Sequence, residues 1–278
     1  MLLKKKYGPV IRFKMSRTLF RRPLYFTTAY LYDDLLIDTG CPRTANELLR
    51  ELQESPLQEI VCTHSHEDHV GAAGLLKEEK ALPVKAHSKA IPIMTDPPIK
   101  DLRWFQRQFW GKPQPVEAEA LSTTLELKEK TFEVIETPGH SPDHIVLFEK
   151  NTGFLFSGDA VVGGLDRAIR ADFDIWGILN SLRKIRNLKA NIIFSGSGRI
   201  IQEPQVTLEG HIADIEIQAA RVEQEYEEGQ SIKAIVKRIQ LDAKKSGHNL
   251  GWVEKLTRGF ISTENLVRSL LKLPPQGF

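Results

Sequence analysis

The sequence predicts a mixed α/β domain over residues 1–205, followed by an all-helical extension over 206–278. Three observations lead there. Up to about residue 205, short apolar runs ended by turn residues alternate with stripes of helical period. From Thr207 onward only the helical period remains. The chain has 278 residues, 41% hydrophobic and 27% charged, the balance of a polypeptide that buries a core, which excludes disorder over most of its length.

In chain order, residues 9–38 read as strands, and the last run, LLIDTG, ends at Asp38 and Gly40. Pro42 to Gln53 is expected to be helical, with Ala45, Leu48, Leu49 and Leu52 on one stripe. Glu59–Cys62 is a short buried strand, Gly71–Lys80 a helix and 83–87 a strand. Residues 91–115 break the rhythm. Five prolines bracket RWFQRQFWG (103–111), so irregular structure is expected around Trp104, Phe105, Phe109 and Trp110. That segment reads either as a lid over an apolar group or as packing within its own domain. Strands resume at 124–128, 131–136, 144–149 and 153–157. A helix over Asp174–Leu188 and a strand over Asn191–Phe194 follow. In the tail, Ile212, Ile215, Ala219, Val222 and Tyr226 form one stripe, and Ile232, Ile235, Val236 and Ile239 a second capped by Ser231. A last helix begins at Ser262 or Thr263. These stripes suit packing on the same chain, or a homodimer contact.

Composition narrows the partners. Net charge is +2, yet Lys4, Lys5, Lys6, Arg12, Lys14, Arg17, Arg21 and Arg22 all precede the first acid, Asp33. We read them as the guarded face of edge strands rather than a patch for RNA or an acidic substrate. No apolar run approaches the roughly 18–20 residues of a membrane span. The basic start has no apolar stretch behind it, so no targeting signal is expected. The two cysteines, Cys41 and Cys62, cannot build a disulfide scaffold, and a reducing cytoplasm is expected.

The chemistry concentrates in Thr63-His64-Ser65-His66-Glu67-Asp68-His69, between a strand and a helix. The i, i+2 spacing lets His64 and His66 point one way from an extended loop, and Asp68 and His69 follow as the chain turns. Imidazole and carboxylate suit zinc, iron or manganese. A hydrogen-bonded histidine cluster is the plain alternative, but packing gives no reason to gather three imidazoles and a carboxylate there. Two further strand ends offer one ligand type each, Pro138-Gly139-His140 and Gly158-Asp159. Elsewhere, His87 reads as a surface or core histidine, and His144 either touches substrate or begins a strand. The context of His248 says little, and Cys62 reads as a small buried hydrophobe.

In this order the motifs resemble the metallo-β-lactamase superfamily over residue 9 to about 205. HxHxDH is complete as His64, His66, Asp68 and His69; the PGH and GD motifs supply His140 and Asp159, and Asp38 matches an early strand-ending aspartate. The resemblance implies an αββα sandwich with a metal site at one edge, with the extension beyond it. It implies that His64, His66 and His140 hold a first zinc, Asp68 and His69 a second, and Asp159 bridges, with catalytic roles for Asp68 and Asp159. One position departs. Ser197 stands where the family places a histidine between glycines. The second site is then weak or empty, or water fills the gap, or His211 swings in.

The implied activity is a metal-dependent hydrolase, using a metal-activated hydroxide on a small-molecule ester, thioester or lactone and resembling the glyoxalase II-like branch. Two alternatives share the scaffold, a mononuclear-iron persulfide dioxygenase and a metal-dependent ribonuclease, although the tail lacks a clear nucleic-acid motif.

Overall fold

A computed structural model describes residues 1–20, 22–128, 130–162, 167–247 and 250–275. Arg21 and His248, both singled out from the sequence, lie outside the described residues.

Seven strands follow one another across the first sheet: β1 (Leu2–Tyr7), β2 (Val10–Leu19), β3 (Arg22–Tyr32), β4 (Leu35–Ile37), β5 (Glu59–Val61), β6 (Val84–Ala86) and β7 (Glu119–Ala120). The first four pair antiparallel and β4 to β7 parallel. The parallel half needs crossovers. These are α1 (Ala45–Glu51) and α2 (Ala73–Lys80), then the pair α3 (Ile91–Thr95) and α4 (Trp104–Phe109) before β7. The chain continues through β8 (Thr124–Leu127), β9 (Lys130–Glu136), β10 (Ile145–Glu149), β11 (Phe154–Gly158), a short β12 (Ile169–Arg170), α5 (Ile175–Asn187), β13 (Ile192–Ser195) and β14 (Ile200–Ile201). The second sheet has the order β14-β13-β11-β10-β9-β8.

The sheets face each other across one apolar layer. Tyr30, Tyr32, Leu35, Ile37 and Val61 of the first meet Phe132, Ile145, Leu147, Phe156 and Phe194 of the second. Alternation along β10 sends Ile145 and Leu147 into that layer and Val146 and Phe148 to the opposite face, against α5. Both faces of the strand are covered, so it reads as an unbroken apolar run. On the far side of the first sheet, Leu36 and Ile60 pack on Leu48, Leu52 and Leu76 of α1 and α2. Helices outside, sheets inside: the expected αββα sandwich is what the chain builds.

The tail folds as α6 (Pro204–Glu227), α7 (Ile232–Lys245), α8 (Leu250–Thr257), β15 (Ile261–Ser262) and α9 (Thr263–Leu270). Ser231 caps α7 through Ala234 N–H, and Ser262 caps α9 through Asn265 N–H at 3.1 Å. Leu208, Ile212 and Ile215 of α6 join Ile178, Leu182 and Ile185 of α5 in one core, so the tail covers the sandwich of its own chain. β15 pairs with β12 and stitches the tail to the sandwich near Arg170.

Three expectations need correction. Strand structure begins at Leu2, not residue 9. Lys4, Lys5 and Lys6 sit exposed on β1 at the sheet edge, where charge discourages pairing with another chain. The proline-bracketed stretch contains two short helices; Pro92 lies in the first turn of α3, where a missing N–H costs nothing. The extension is not all-helical: Ile261–Ser262 forms β15, which exists because it pairs with β12 across the chain, and residues 250–257, unassigned from the sequence, form α8.

Candidate metal centre

The sheet edge that ends β4, β5 and β11 delivers the polar cluster. Asp38, directly after β4, is its pivot and is buried. One carboxylate oxygen accepts from Thr63 N–H at 2.8 Å. Thr63 Oγ1 donates to the same carboxylate at 2.9–3.0 Å. The other oxygen accepts from His69 Nδ1–H at 2.8 Å. Thr63 Oγ1, its proton committed to Asp38, accepts from His64 Nδ1–H at 3.1 Å. His64 therefore carries its proton on Nδ1 and turns an Nε2 lone pair inward, while the bond to Asp38 through Nδ1–H leaves His69 Nε2 as the nitrogen that faces Asp159 and would ligate once a cation displaces its proton.

The inner nitrogens converge. His64 Nε2 lies 2.9 Å from His66 Nδ1, and His140 Nε2 lies 3.0 Å from that same atom. His69 Nε2 stands 3.4 Å from Asp159 Oδ1, and His140 Nε2 stands 3.6 Å from Asp159 Oδ2. Two overlapping donor groups result, His64/His66/His140 and His64/His69/Asp159, each with its ligand atoms within 4.8 Å of one another. Asp68 is buried beside them but belongs to neither group.

Electrostatics agrees with a cation site. Burial, then the neighbouring histidines, pushes His64 well below the usual imidazole range. Burial and the Arg170 guanidinium do the same to His66, and burial takes His140 down to about 3. These rings are neutral, with lone pairs free. Burial opposes charge on His69 too, but Asp159 and Asp38 on either side hold it well up. Burial raises the Asp68 carboxyl to about 7. A single proton on His66 Nδ1 satisfies one of its two imidazole contacts, never both. Hydrogen bonding thus does not account for the three-ring convergence, and the donor set fits a divalent metal.

Close approach builds the remaining positions. Gly139 has φ +134°, and a Cβ there would lie 2.2 Å from Ile178 N, so only glycine lets the loop carrying His140 seat on α5. At Gly158 a Cβ would meet Thr63 Oγ1 at 2.7 Å and His144 Nε2 at 2.8 Å. His144 is buried between Thr137 Oγ1, 2.8 Å from its Nδ1, and the Asp159 N–H, which donates to its Nε2 at 3.0 Å. It holds Asp159 in place rather than facing a ligand. Asp143 accepts from Ser65 N–H at 2.8 Å and pins the histidine loop. Sequence reasoning gave no role to Thr63 or Asp143; their only signal was adjacency to the motifs. His87 pairs with Glu136 at 3.1 Å, away from the cluster, and Cys62 is fully buried in the core. Neither cysteine is bridged.

A cavity of about 530 Å³ opens beside His66 and His140. Its apolar wall comes from Ile93, Met94, Ile99 and Leu102 before α4, and from Phe260 of the tail. The aromatic residues of 103–111 are not its lining. Phe105 is buried between Trp110 and Phe260. Gln106 donates to Glu67 Oε1 at 2.6 Å, and Arg43 donates to the Arg107 carbonyl at 2.8 Å. The segment is a tied wall that packs on its own domain. Ser197, the departure from the family pattern, has its hydroxyl engaged by neighbouring groups: it donates to Val162 O at 3.0 Å and lies 2.9 Å from Ser195 Oγ. Among the described residues no helix is long and apolar enough to cross a membrane.

Comparison with known proteins places this geometry. A beta-lactamase-like protein 2 homolog of Drosophila melanogaster is 32% identical over 194 residues, covering 64% of this chain and 59% of that protein. A hydroxyacylglutathione hydrolase of Haemophilus influenzae is 29% identical over 178 residues, covering 57% of this chain and 76% of that protein. The chain spans little more than half the length of several curated relatives it matches. Among solved structures, a metallo-beta-lactamase from Pontibacter korlensis superposes with a TM-score of 0.59 at 19% identity, covering 77% of this chain and 98% of its own, a likeness of fold. The family model described as "Metallo-beta-lactamase superfamily" matches residues 22–197, the span that holds every converging ligand described above, and the chain belongs to that superfamily.

Proposed function

We propose that the chain is a metal-dependent hydrolase of small esters, thioesters or lactones whose apolar acyl arm lies in the 530 Å³ cavity. The observation that carries this is the convergence of three neutral imidazole nitrogens, two of whose rings, His66 and His140, line that cavity. The name of the bacterial relative points the same way, since an acylglutathione is a thioester.

In this reading His64, His66 and His140 hold one cation, and Asp68, His69 and Asp159 hold a second. Zinc is the first choice, with iron or manganese accepted by the same donors. A cation held there supplies Lewis acidity and a water ionised near neutral pH. The side chains do the rest. Asp159, between His69 and His140, and Asp68 take the hydrogen bonds that aim the attacking water at the cavity. Asp38 and Thr63 keep the rings in the tautomer that faces inward. The wall of Met94, Leu102 and Phe260 holds the acyl arm; because water is the nucleophile, no serine or cysteine nucleophile is needed. Residues 1–205 form the catalytic part, and 206–278 the extension that completes its cavity.

The test is zinc-loaded protein against a series of acyl thioesters and aryl esters of increasing chain length. Turnover should rise with acyl length until the cavity is filled, then fall. Absence of turnover, together with oxygen uptake by iron-loaded protein on a glutathione persulfide, or with cleavage of RNA, would replace the hydrolase reading.

A further inference from the structure

His211 is the one histidine of the described residues near the metal cluster that the reading above leaves without a task. It lines, from α6, a second, smaller cavity of about 100 Å³ that shares His140 with the acyl pocket. Asp159, His140 and Phe173 line the same space. The helix that carries it is fixed, because Leu208, Ile212 and Ile215 are buried against α5. The neighbouring acid, Asp214, is already committed to Arg167 through two bonds, at 2.5 and 2.7 Å. His211 is half-buried, and that burial, ahead of its neighbours, keeps the ring toward its neutral form. The ring belongs to neither donor group, but it and Asp159 line the same small cavity, whose volume of about 100 Å³ has room for water. Ser197, from the position where the family pattern supplies an imidazole, has its hydroxyl tied to Val162 O and Ser195.

We propose that His211 replaces the imidazole missing at position 197: from the helical tail, through a water in the small cavity, it supports the cation held at Asp159. The tail thereby supplies a metal-positioning residue to the catalytic part. A partner one water away from the ion orients a ligand rather than forming the primary bond, and losing such a partner typically costs 10- to 100-fold in metal affinity.

The inference rests on the metal-centre reading, and metal binding tests the two separately without any substrate. The full chain is stripped with chelator and titrated with zinc against a competing chromophoric chelator. His211→Ala, His211→Gln and the double variant His211→Ala/Ser197→His are measured beside it. The expected result is a wild type with two equivalents per chain. In His211→Ala the second equivalent should weaken by about 10- to 100-fold while the first is unchanged. Ser197→His in the His211→Ala background should recover much of that loss. Retention of the first equivalent shows that each variant is folded, and His211→Gln, which keeps a polar side chain of similar reach, covers the case in which the alanine variant is not. An unchanged second equivalent in both single variants overturns the role of His211, as does a wild type that binds only one. Absence of any tight zinc in the wild type overturns the metal-centre reading itself.

Discussion

Replacing Asp38 by asparagine tests how the protein prepares its ligands. The carboxylate accepts from Thr63 N–H at 2.8 Å, from the Thr63 hydroxyl, and from His69 Nδ1–H at 2.8 Å, in a buried setting. Asparagine has the same shape but one acceptor oxygen. If that oxygen stays on Thr63 N–H, an NH₂ group faces His69 Nδ1, and two donors cannot meet. The ring must then move its proton to Nε2, the atom 3.4 Å from Asp159, and that nitrogen can no longer ligate. A hydrogen bond to a charged group contributes about 1.5–3 kcal/mol, equivalent to roughly 10- to 150-fold in affinity. The second cation should weaken by that factor. The first should weaken less, because Asp38 reaches His64 only through the Thr63 hydroxyl. Thr63→Val should reverse the order, affecting the first cation most. The assay is chelator competition, with ¹⁵N shifts of the imidazoles reporting the tautomer. Wild-type affinity for both cations in Asp38→Asn, with His69 still protonated on Nδ1, would refute the reasoning.

The remaining predictions concern single positions and pH. His66→Ala removes the nitrogen that two other rings approach, and should abolish metal retention and turnover together. Cys62→Ala should leave both intact and cost about 1 kcal/mol in urea unfolding. Gly139→Ala puts a Cβ 2.2 Å from Ile178 N at positive φ, and should cost about 2–4 kcal/mol in the same assay, with weaker binding of the first cation. Phe260→Ala enlarges the acyl wall and should shift the kcat/KM ratio of a bulky to a short acyl thioester by about tenfold; an unchanged ratio would remove Phe260 from the wall. In metal-free protein, burial chiefly holds His64 and His66 well below the usual range and His140 and His144 down to about 3 and about 4. Below the ordinary value of 6.5 the unfolded chain binds protons that these rings refuse, so stability should fall as pH drops from about 6.5, by about 1.4 kcal/mol per pH unit for each ring. Asp68, raised to about 7, runs the other way between pH 7 and 4 and offsets one ring. Denaturant unfolding at pH 5 and pH 7 reads the net slope, and a stability that rises on acidification would contradict neutral burial of the histidines.

Much of this site was legible because its ligands are local in sequence. His64, His66 and His69 sit in one loop and were singled out by spacing alone; His140 and Asp159 lie at strand ends, and the family resemblance was needed to join them to that loop. The supporting residues were harder. Asp143 and His144 act across the fold, on Ser65 and on the Asp159 backbone, 78 and 15 residues away, and nothing in local periodicity reports such a partner. Short elements failed for a related reason. β12 and β15 have two residues each and exist because they pair with each other across the chain. α4, between prolines, is held by Glu67, Arg17 and Arg43 from distant segments rather than by its own propensity. The αββα layering came from the family resemblance, not from periodicity; the structure supplies its physical reason, since β10 is apolar on both faces and is covered on each side.

The tail is where the sequence and the structure differ most in what they say about function. As a sequence, residues 207–271 are amphipathic stripes that any covering helix would show. In the fold they reach the metal centre from two directions. Phe260 lines the larger cavity, held between the Arg103 and Arg170 guanidinium groups at 5.1 and 4.9 Å, while His211 and Asp159 line the small one. Both contacts depend on the apolar seam of α5, α6 and α9 and on the β12–β15 pair. A shift of α6 along that seam would move His211 relative to Asp159, and a shift of β15 would move Phe260 relative to Arg170. On the two proposals above, substrate fit and support for the second cation would both be set by one packing interface. Variation in the tail can retune the acyl pocket only within the limits that keep His211 in reach, a constraint that a histidine at position 197 would not have imposed.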